Sequence, residues 1–242
     1  MDPFSGSRWS APETVAGFAK SPPNAVLMRF AREESKRCPS GRALDLGCGA
    51  GRNAVPLARM GWDVVGIDLS PPMLVAAARR ADEERLGDRL CWLLAAADAI
   101  PARERSFDLV VAHGIWNLAR SDTEFRRALD EAARVAKPGA GLFVYTFSRG
   151  TFPQETEPVP GESFVFTQFS GQPQCFLTEE QLVSELGAAG FAPEPAVPLT
   201  EYNRSGPRML GPGSPPVIYE GAFRREASGA GATLRVATEV KP

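Results

Sequence analysis

The 242-residue sequence predicts one domain of the α/β class, in which a mostly parallel sheet lies between two layers of helices. Two observations lead to this prediction. Short apolar runs alternate with longer amphipathic segments, a pattern typical of parallel strands joined by crossover helices. The first of these runs also continues into a glycine-rich turn at residues 44–51, as expected where a buried strand passes into a helix beside a ligand.

Five strands are predicted, at residues 43–46, 63–67, 90–94, 107–112 and 142–147. These runs are too short for helices, contain many branched or aromatic residues and are bounded by glycine or polar residues. Two later extended stretches, 196–202 and 217–223, flank a Gly/Pro-rich link and predict an antiparallel hairpin. We therefore expect a three-layer sandwich with a seven-stranded sheet that ends in this C-terminal hairpin, while residues 233–240 of the tail could add one more strand.

Residues 1–40 precede this core and are expected to form a helical cap over the site. Ser21, followed by Pro22 and Pro23, indicates a helix start, and apolar residues recur after it at helical spacing. The stretch before this start, residues 9–18, has a looser pattern. Its aromatic residues either cover a pocket or pack at the edge of the domain.

Capping residues mark the later helices. The predicted starts are Ser70 before Pro71, a capping box of Ser121 with Glu124, and a capping box of Thr178 with Gln181 that Leu177 and Leu182 staple. The second of these helices is expected to end at Pro138-Gly139 and the third at Gly190. Pro56 lies inside the helix expected after Gly51, so that helix must be kinked or begin late.

Composition argues against several classes of partner. The chain has 27 basic and 29 acidic side chains, a net charge of −2 and no run of Lys or Arg, so no nucleic-acid partner is expected. No stretch approaches the roughly 18 apolar residues of a membrane span, and residues 1–10 lack a secretory signal, which predicts a cytoplasmic protein without a membrane partner. The cysteines are widely spaced, which predicts reduced thiols and no metal site: Cys38, Cys48, Cys91 and Cys175.

The glycine-rich turn predicts a ligand site. Gly47, Gly49 and Gly51 allow the backbone to adopt positive φ and to approach a ligand closely. In an open α/β sheet this turn lies at the carboxyl ends of the strands, where ligands bind. Asp68 ends the second predicted strand, beside the turn, and its carboxylate suits two vicinal ribose hydroxyls. Asp98 follows the third strand. If Asp68 holds the ribose of a nucleoside, Asp98 is expected to lie beside its purine.

In these motifs the chain resembles the class I S-adenosylmethionine-dependent methyltransferases. The resemblance covers residues 40–190 and rests on residues 44–51, Gly66-Ile67-Asp68-Leu69-Ser70, Ala97-Asp98 and Phe107-Asp108-Leu109-Val110. Gly51-Arg52-Asn53 is similar to the turn of the small-molecule branch, which includes tellurite-resistance-like and ubiquinone-biosynthesis-like enzymes. The resemblance implies a Rossmann-like fold, with the methyltransferase domain at 41–226 and a tail at 227–242.

The resemblance also implies a role for each residue of the site. Asp45 and the glycine turn would hold the methionine part of S-adenosyl-L-methionine, Asp68 the ribose and Asp98 the adenine amino group. Leu69 and Met73 would line the adenine. The remaining residues expected to contact the cofactor, or its product S-adenosyl-L-homocysteine, are Gly47, Cys48, Gly49, Gly51, Asn53, Ala97, Ala99 and His113.

His113 is the only histidine of the chain and follows the fourth strand, facing the region where the methyl group would lie. It is a candidate general base, because a neutral imidazole can take an acceptor's proton. The alternative is a structural role, with only its backbone near the cofactor. Candidate acceptor contacts are Trp9, Trp116, Asn117 and Arg149, and the insertion at 150–177 is expected to shape the acceptor pocket.

The predicted function is methyl transfer by in-line displacement to an oxygen, nitrogen, sulfur or metalloid atom of a small molecule, by a monomer or homodimer. A nicotinamide oxidoreductase is disfavoured because Arg52 stands where its fingerprint requires glycine. Adenine-specific methyltransferases carry an Asn/Asp-Pro-Pro-aromatic loop where this chain has residues 113–116. A protein methyltransferase and a cofactor-binding regulatory module without catalysis remain open alternatives.

Overall fold

The structure, a computed structural model, describes residues 8–204 and 215–227. It opens with a 3-10 turn, Arg8–Ser10, followed by helix α1, Pro12–Lys20, and helix α2, Ala25–Arg37. The predicted helix start at Ser21 was wrong: Asn24 caps α2, and its side-chain oxygen accepts a hydrogen bond from the backbone N–H of Leu27 at 2.9 Å. The Ser21 hydroxyl instead donates back to the Gly17 carbonyl at the end of α1.

The strands follow in the predicted order, with more of them than the sequence indicated. They are β1 Arg42–Leu46, β2 Asp63–Asp68, β3 Leu90–Leu94, β4 Phe107–His113, β5 Ala136–Phe147, β6 Val165–Phe166, β7 Gln174–Cys175, β8 Phe191–Pro193, β9 Thr200–Tyr202 and β10 Ile218–Arg225. The main path through the sheet is β3-β2-β1-β4-β5-β10-β8, and β9 pairs with β10 beside it.

This topology confirms the Rossmann-like α/β class with a mostly parallel seven-strand path. Strands β1 to β5 pair in parallel, and β10 runs antiparallel to β5, β8 and β9. The predicted C-terminal hairpin is present as β9 and β10, although β9 is shorter than expected. The two-stranded sheet of β6 and β7 was not predicted. The predicted link at 206–216 and strand at 233–240 fall mostly or wholly outside the described residues.

The remaining helices are α3 Ala54–Arg59, α4 Pro71–Glu83, α5 Asp122–Val135 and α6 Glu179–Ala188. Helix α3 begins late, as Pro56 predicts. This proline therefore lies in the first turn, where a backbone N–H would have no partner within the helix. The capping box at α6 is confirmed in both directions. At α5 the box is incomplete, because the Glu124 carboxylate accepts from Arg120 N rather than from Ser121 N.

Helix α5 does not end at Pro138-Gly139 as predicted. It ends at Val135, and β5 begins at the next residue. The pairing with β4 shifts there, because Phe107 lies opposite Ala136 whereas Leu109 lies opposite Gly141. The proline and glycine occupy the bulge between these pairs, where a residue without a backbone N–H is tolerated.

Helices cover both faces of the sheet. One apolar cluster joins α5 and α6 to one face through residues such as Phe125 and Leu182. A second cluster packs Leu27 and Phe30 of α2 on the other face, against strand residues such as Val111. Successive side chains of a strand point to opposite faces of the sheet, so each side chain at the carboxyl edge faces one of the two helical layers. Among the described residues, no helix is long and apolar enough to cross a membrane.

Candidate functional site

The turn after β1 keeps its backbone open toward one side. Gly47, Gly49 and Gly51 have φ of +62°, +52° and +73°, values that favour glycine. A Cβ on Gly47 would stand 2.7 Å from the Ile115 side chain. A Cβ on Gly49 would meet nothing nearer than the Phe18 ring, at 3.6 Å. Gly47 is therefore required for packing, while Gly49 presents the backbone surface that a ligand can approach.

Asp45 lies at the end of β1 with its side chain buried and its Oδ2 atom without a hydrogen-bond partner. Burial, and after it the charge of Asp68, raise the pKa of this carboxyl to about 7, against the opposing effect of a hydrogen bond from the backbone of Ala54. An unpartnered buried carboxyl oxygen is unfavourable. It fits a cationic group that donates a hydrogen bond, such as the ammonium of a methionyl moiety.

Asp68 joins the turn to the next helix. Its carboxylate accepts from Gly49 N and from Ser70 N, both at 2.8 Å. Burial raises the pKa of Asp68, while its hydrogen bonds to backbone N–H groups lower it. Each oxygen retains acceptor capacity, so the carboxylate can hold the turn and still receive two ribose hydroxyls.

The other predicted adenosine contacts lie on the same edge of the sheet. Asp98 is half-buried in a turn after β3, and Ala95 N donates to the Asp68 carbonyl at 3.2 Å, which holds this segment beside β2. Met73 is buried under Gly49 in α4, with its sulfur 3.9 Å from where a Cβ on Gly49 would stand. Leu69 and Ala97 are half-buried, and Ala99 is exposed.

Cys48 is a packing residue of the turn. Its thiol is buried, and its sulfur would stand 2.9 Å from a Cβ at Gly66. Burial is the main cause that raises the pKa of this thiol, followed by the charges of Asp45 and Asp68. The thiol is therefore neutral and unsuited to nucleophilic attack. Within residues 8–204 and 215–227, no group of His, Cys, Asp and Glu could hold a metal ion.

The N-terminal segment lies across the turn. The Ser70 hydroxyl donates to the Trp9 carbonyl at 3.3 Å, and the Trp9 ring meets the Phe18 ring edge to face with centroids 6.0 Å apart. Phe18 in turn lies over Gly49. The first helix and the short 3-10 turn before it thus cover the carboxyl end of β2 and the start of α4.

A second group of polar residues lies beyond the turn, where the sequence indicated only His113. The His113 and Tyr145 rings stack with centroids 4.3 Å apart and 14° between their planes. Asn24 Nδ2 lies 3.3 Å from His113 Nε2 and donates to Glu220 Oε1 at 2.7 Å. Its backbone N–H donates to Asn53 Oδ1 at 3.1 Å. Asn24, Tyr145 and Glu220 are thus site residues that the sequence patterns did not indicate.

The hydrogen bonds of Asn24 define the state of the imidazole. Because Asn24 Oδ1 accepts from Leu27 N, the atom facing His113 is the amide nitrogen, which can only donate. Nε2 of His113 is therefore the acceptor. Burial, and after it the charge of Arg52, lower the pKa of His113 to about 4, against the opposing effect of a hydrogen bond to its own backbone. At neutral pH the ring is uncharged and carries its proton on Nδ1.

Two of the predicted acceptor contacts lie inside the core. Trp116 is buried and meets Phe125 edge to face, with ring centroids 6.1 Å apart. Asn117 is also buried, and it lies with Trp116 in a 3-10 turn, Trp116–Leu118. The Trp116 indole N–H and the Asn117 Oδ1 have no hydrogen-bond partner.

Arg149 braces the insertion rather than extending into open space. Its guanidinium donates to four backbone carbonyls, those of Phe152, Pro153, Gln154 and Thr156, at 2.7 to 3.3 Å. It also lies over the Phe166 ring, 5.1 Å from the centroid. The insertion is a packed unit. Its apolar cluster of Phe152, Phe166, Phe169 and Phe176 packs against Phe147 at the end of β5.

Comparisons with known proteins agree with this geometry. Residues 43–139 match the family model described as a methyltransferase domain. A ubiquinone biosynthesis O-methyltransferase of Azorhizobium caulinodans is 32% identical over 153 residues, covering 62% of this chain and 58% of that protein. A demethylmenaquinone methyltransferase of Renibacterium salmoninarum is 36% identical over 115 residues, covering 47% of this chain and 44% of that protein. The matches thus span about half the length of these relatives.

Solved structures show the same fold. A Burkholderia thailandensis 1,6-didemethyltoxoflavin-N1-methyltransferase, solved with bound 1,6-didemethyltoxoflavin and S-adenosylhomocysteine, matches with a TM-score of 0.61 and 20% identity, over 84% of this chain and 79% of that chain. A methyltransferase of Methanosarcina mazei matches with a TM-score of 0.58 and 22% identity, over 77% and 93%. Residues 43–139 thus resemble a methyltransferase domain, and the described residues share the fold of these solved methyltransferases.

Proposed function

We propose that this chain transfers a methyl group from S-adenosyl-L-methionine to a small-molecule acceptor by in-line displacement. The observation that carries the proposal is the buried Asp45 carboxyl, whose free oxygen lies beside a glycine turn that Asp68 fixes. Bound there, the cofactor would supply an electrophilic methyl group on a sulfonium. The relatives named for ubiquinone biosynthesis and for demethylmenaquinone support a small acceptor.

Each part of the carboxyl edge of the sheet has a role in this proposal. Asp45, with Asn53 and the turn, binds the methionyl part, and Asp68 binds the ribose. Asp98 orients the adenine, together with Leu69, Met73, Ala97 and Ala99. The N-terminal cap, residues 1–40, then excludes water from the reacting atoms, and geometry supplies much of the rate because the acceptor is held in line with the methyl group.

The acceptor region of the proposal lies between the cap and the insertion at 150–177. In this proposal Arg149 orders the insertion, and Trp116 and Asn117 pack beneath it. The proposed division of the chain keeps the methyltransferase domain at 41–226 and the tail at 227–242. A nucleic-acid acceptor is not part of the proposal, and a monomer or homodimer is expected.

Isothermal titration with S-adenosylhomocysteine and, separately, with NAD tests the proposal. We expect binding of S-adenosylhomocysteine alone, and its loss in Asp68→Ala. Transfer of a labelled methyl group to any small acceptor then separates an enzyme from a regulatory module. A folded protein that binds neither S-adenosylhomocysteine nor the methyl donor would exclude the proposed function.

A further inference from the structure

Three side chains form a row across neighbouring strands at the carboxyl edge. His113 of β4 lies opposite Tyr145 of β5, and Tyr145 lies opposite Glu220 of β10. Residues directly opposite each other project from the same face of a sheet. Asp45, opposite Val111 and two positions before His113 in register, projects from this face too. Glu220 therefore lies on the cofactor's side of the sheet, two strands beyond the strand that carries His113.

Glu220 is buried without a cationic partner. It is 7% exposed, and its Oε1 accepts from Asn24 Nδ2. In the described part of the chain no Lys or Arg forms an ion pair with it. Glu34, which is 4% exposed, shows the usual structural alternative, because its two oxygens pair with Arg224 at 2.7 and 2.8 Å. A buried carboxylate that is held by one neutral amide retains capacity for a further donor.

The imidazole beside it lacks this capacity. Nε2 of His113 accepts from Asn24, and the ring's other nitrogen carries the proton and bonds to the backbone of the same residue. The only group of the row with a free proton-accepting site is the Glu220 carboxylate. Its neighbours in the row, the rings of His113 and Tyr145, stack face to face, so a planar aromatic acceptor can extend this stack from an outer ring face.

We propose that Glu220 is a catalytic residue that accepts the proton of an aromatic hydroxyl as this oxygen takes the methyl group. The inference rests on the proposed function. The oxygen–carbon bond forms as the carbon–sulfur bond breaks, the sulfonium's electron pair returns to sulfur, and the hydroxyl proton passes to the Glu220 carboxylate. An aromatic hydroxyl is the fitting class because its pKa, about 10, is low for a neutral hydroxyl. Asn24 is a positioning residue that holds this carboxylate in the row.

The test uses the full chain, labelled S-adenosylmethionine and two dihydroxyarene probes of different width, catechol and 1,4-dihydroxynaphthalene. Glu220→Gln keeps an oxygen that Asn24 can donate to but removes the base. We expect methylation of at least one probe by the wild type, and a kcat about 100-fold lower in Glu220→Gln. Affinity for S-adenosylhomocysteine and the unfolding temperature should stay unchanged, which a purely structural role would not allow.

Glu201→Gln is the matched control. Glu201 lies on β9 opposite Tyr219, so it projects from the other face of the sheet, and it pairs with Arg204 at 2.6 Å. This variant should keep the wild-type rate, and His113→Gln should lose less than Glu220→Gln. A Glu220→Gln rate within threefold of the wild type, or a wild type that binds S-adenosylhomocysteine but methylates neither probe, would overturn the inference alone. A wild type without affinity for S-adenosylhomocysteine would overturn the proposed function as well.

Discussion

Asn24 Nδ2 donates to Glu220 Oε1 at 2.7 Å, although the two residues are 196 positions apart. The same Asn24 side chain caps α2 through its oxygen, which accepts from Leu27 N. One residue therefore begins the helix of the N-terminal cap and orients the carboxylate at the far side of the site. This amide therefore couples the cap to the proposed acceptor region.

Substitutions of Asn24 separate these two roles. Asn24→Ser keeps a capping oxygen but has no amide to reach Glu220, so we expect near-normal stability and a lower kcat. Asn24→Ala loses the cap as well and should lower the free energy of unfolding by about 1 kcal/mol. Urea unfolding and turnover of the two variants check this. Equal stability of Asn24→Ser and Asn24→Ala would contradict a capping role.

The local part of the site was predictable from the sequence. The glycine turn, Asp45 and Asp68 lie within or directly beside short apolar runs, and the register of β1 and β2 brings them together. Sequence reasoning could therefore place them at one edge of a parallel sheet. Asn24 and Glu220 lack such a local signal, because their contact depends on β10 inserting beside β5 and on α2 crossing the same face.

The boundaries that differ have the same kind of cause. Pro138 and Gly139 are helix-ending residues in isolation, yet the pairing of Ala136 with Phe107 draws the preceding residues into β5. Ser21 followed by two prolines has the pattern of a helix start, but Asn24 is the residue whose side chain reaches a free N–H of α2. In both cases tertiary contacts select among local signals of similar strength.

The raised pKa of Asp45 predicts pH-dependent cofactor affinity. Burial places this pKa at about 7, and a cationic ligand binds the ionised carboxylate more tightly than the neutral acid. Affinity for S-adenosylmethionine should therefore rise about tenfold between about pH 6 and about pH 8, with proton release on binding. Titration calorimetry in two buffers of different ionisation enthalpy measures this release. Asp45→Asn should bind weakly and without this pH dependence.

The same shift predicts a stability change of opposite sign in the empty protein. The folded-state pKa of Asp45 lies above its ordinary value of 3.8, so the unfolded chain ionises first and stability falls as pH rises through this window. Asp45→Asn removes the free-energy cost of ionising this buried carboxyl. We expect the variant to unfold at a higher temperature than the wild type at pH values above 7. An unfolding temperature below that of the wild type would show that Asp45 is not a strained buried acid.

Gly49→Ala tests whether the open side of the turn is a ligand surface. The new Cβ meets no atom nearer than 3.6 Å, so the stability loss should be limited to the positive φ of +52°, about 1 to 2 kcal/mol. Affinity for S-adenosylhomocysteine should fall by much more than this loss explains. Gly139→Ala is the control, because its φ is +78° and its Cβ would meet nothing within 4 Å, far from the site. Equal effects of the two variants on binding would argue against the proposed surface.

Substitution of Arg149 is expected to weaken the affinity for the acceptor without changing the affinity for the cofactor. Its guanidinium satisfies four carbonyls of the insertion, and lysine has neither the donors nor the planar geometry to replace it. Arg149→Lys should loosen the insertion, which raises the KM for the acceptor while the affinity for S-adenosylhomocysteine stays unchanged. Faster proteolysis at residues 152–156 would report the loosening directly. Unchanged protection of this segment would contradict the bracing role.

His113 offers a direct measurement, because a chain with a single histidine gives one set of imidazole nitrogen signals. Burial lowers the pKa of His113 to about 4, so the ring should remain neutral, with its proton on Nδ1, from about pH 5 to about pH 8. Since burial outweighs the charge of Arg52, Arg52→Ala should raise this pKa only slightly. Asn24→Ala removes the donor to Nε2 and should change the nitrogen shifts strongly. Nitrogen-15 NMR follows all three proteins, and a wild-type midpoint near the ordinary value of 6.5 would show that the imidazole is solvated and free to act as a base.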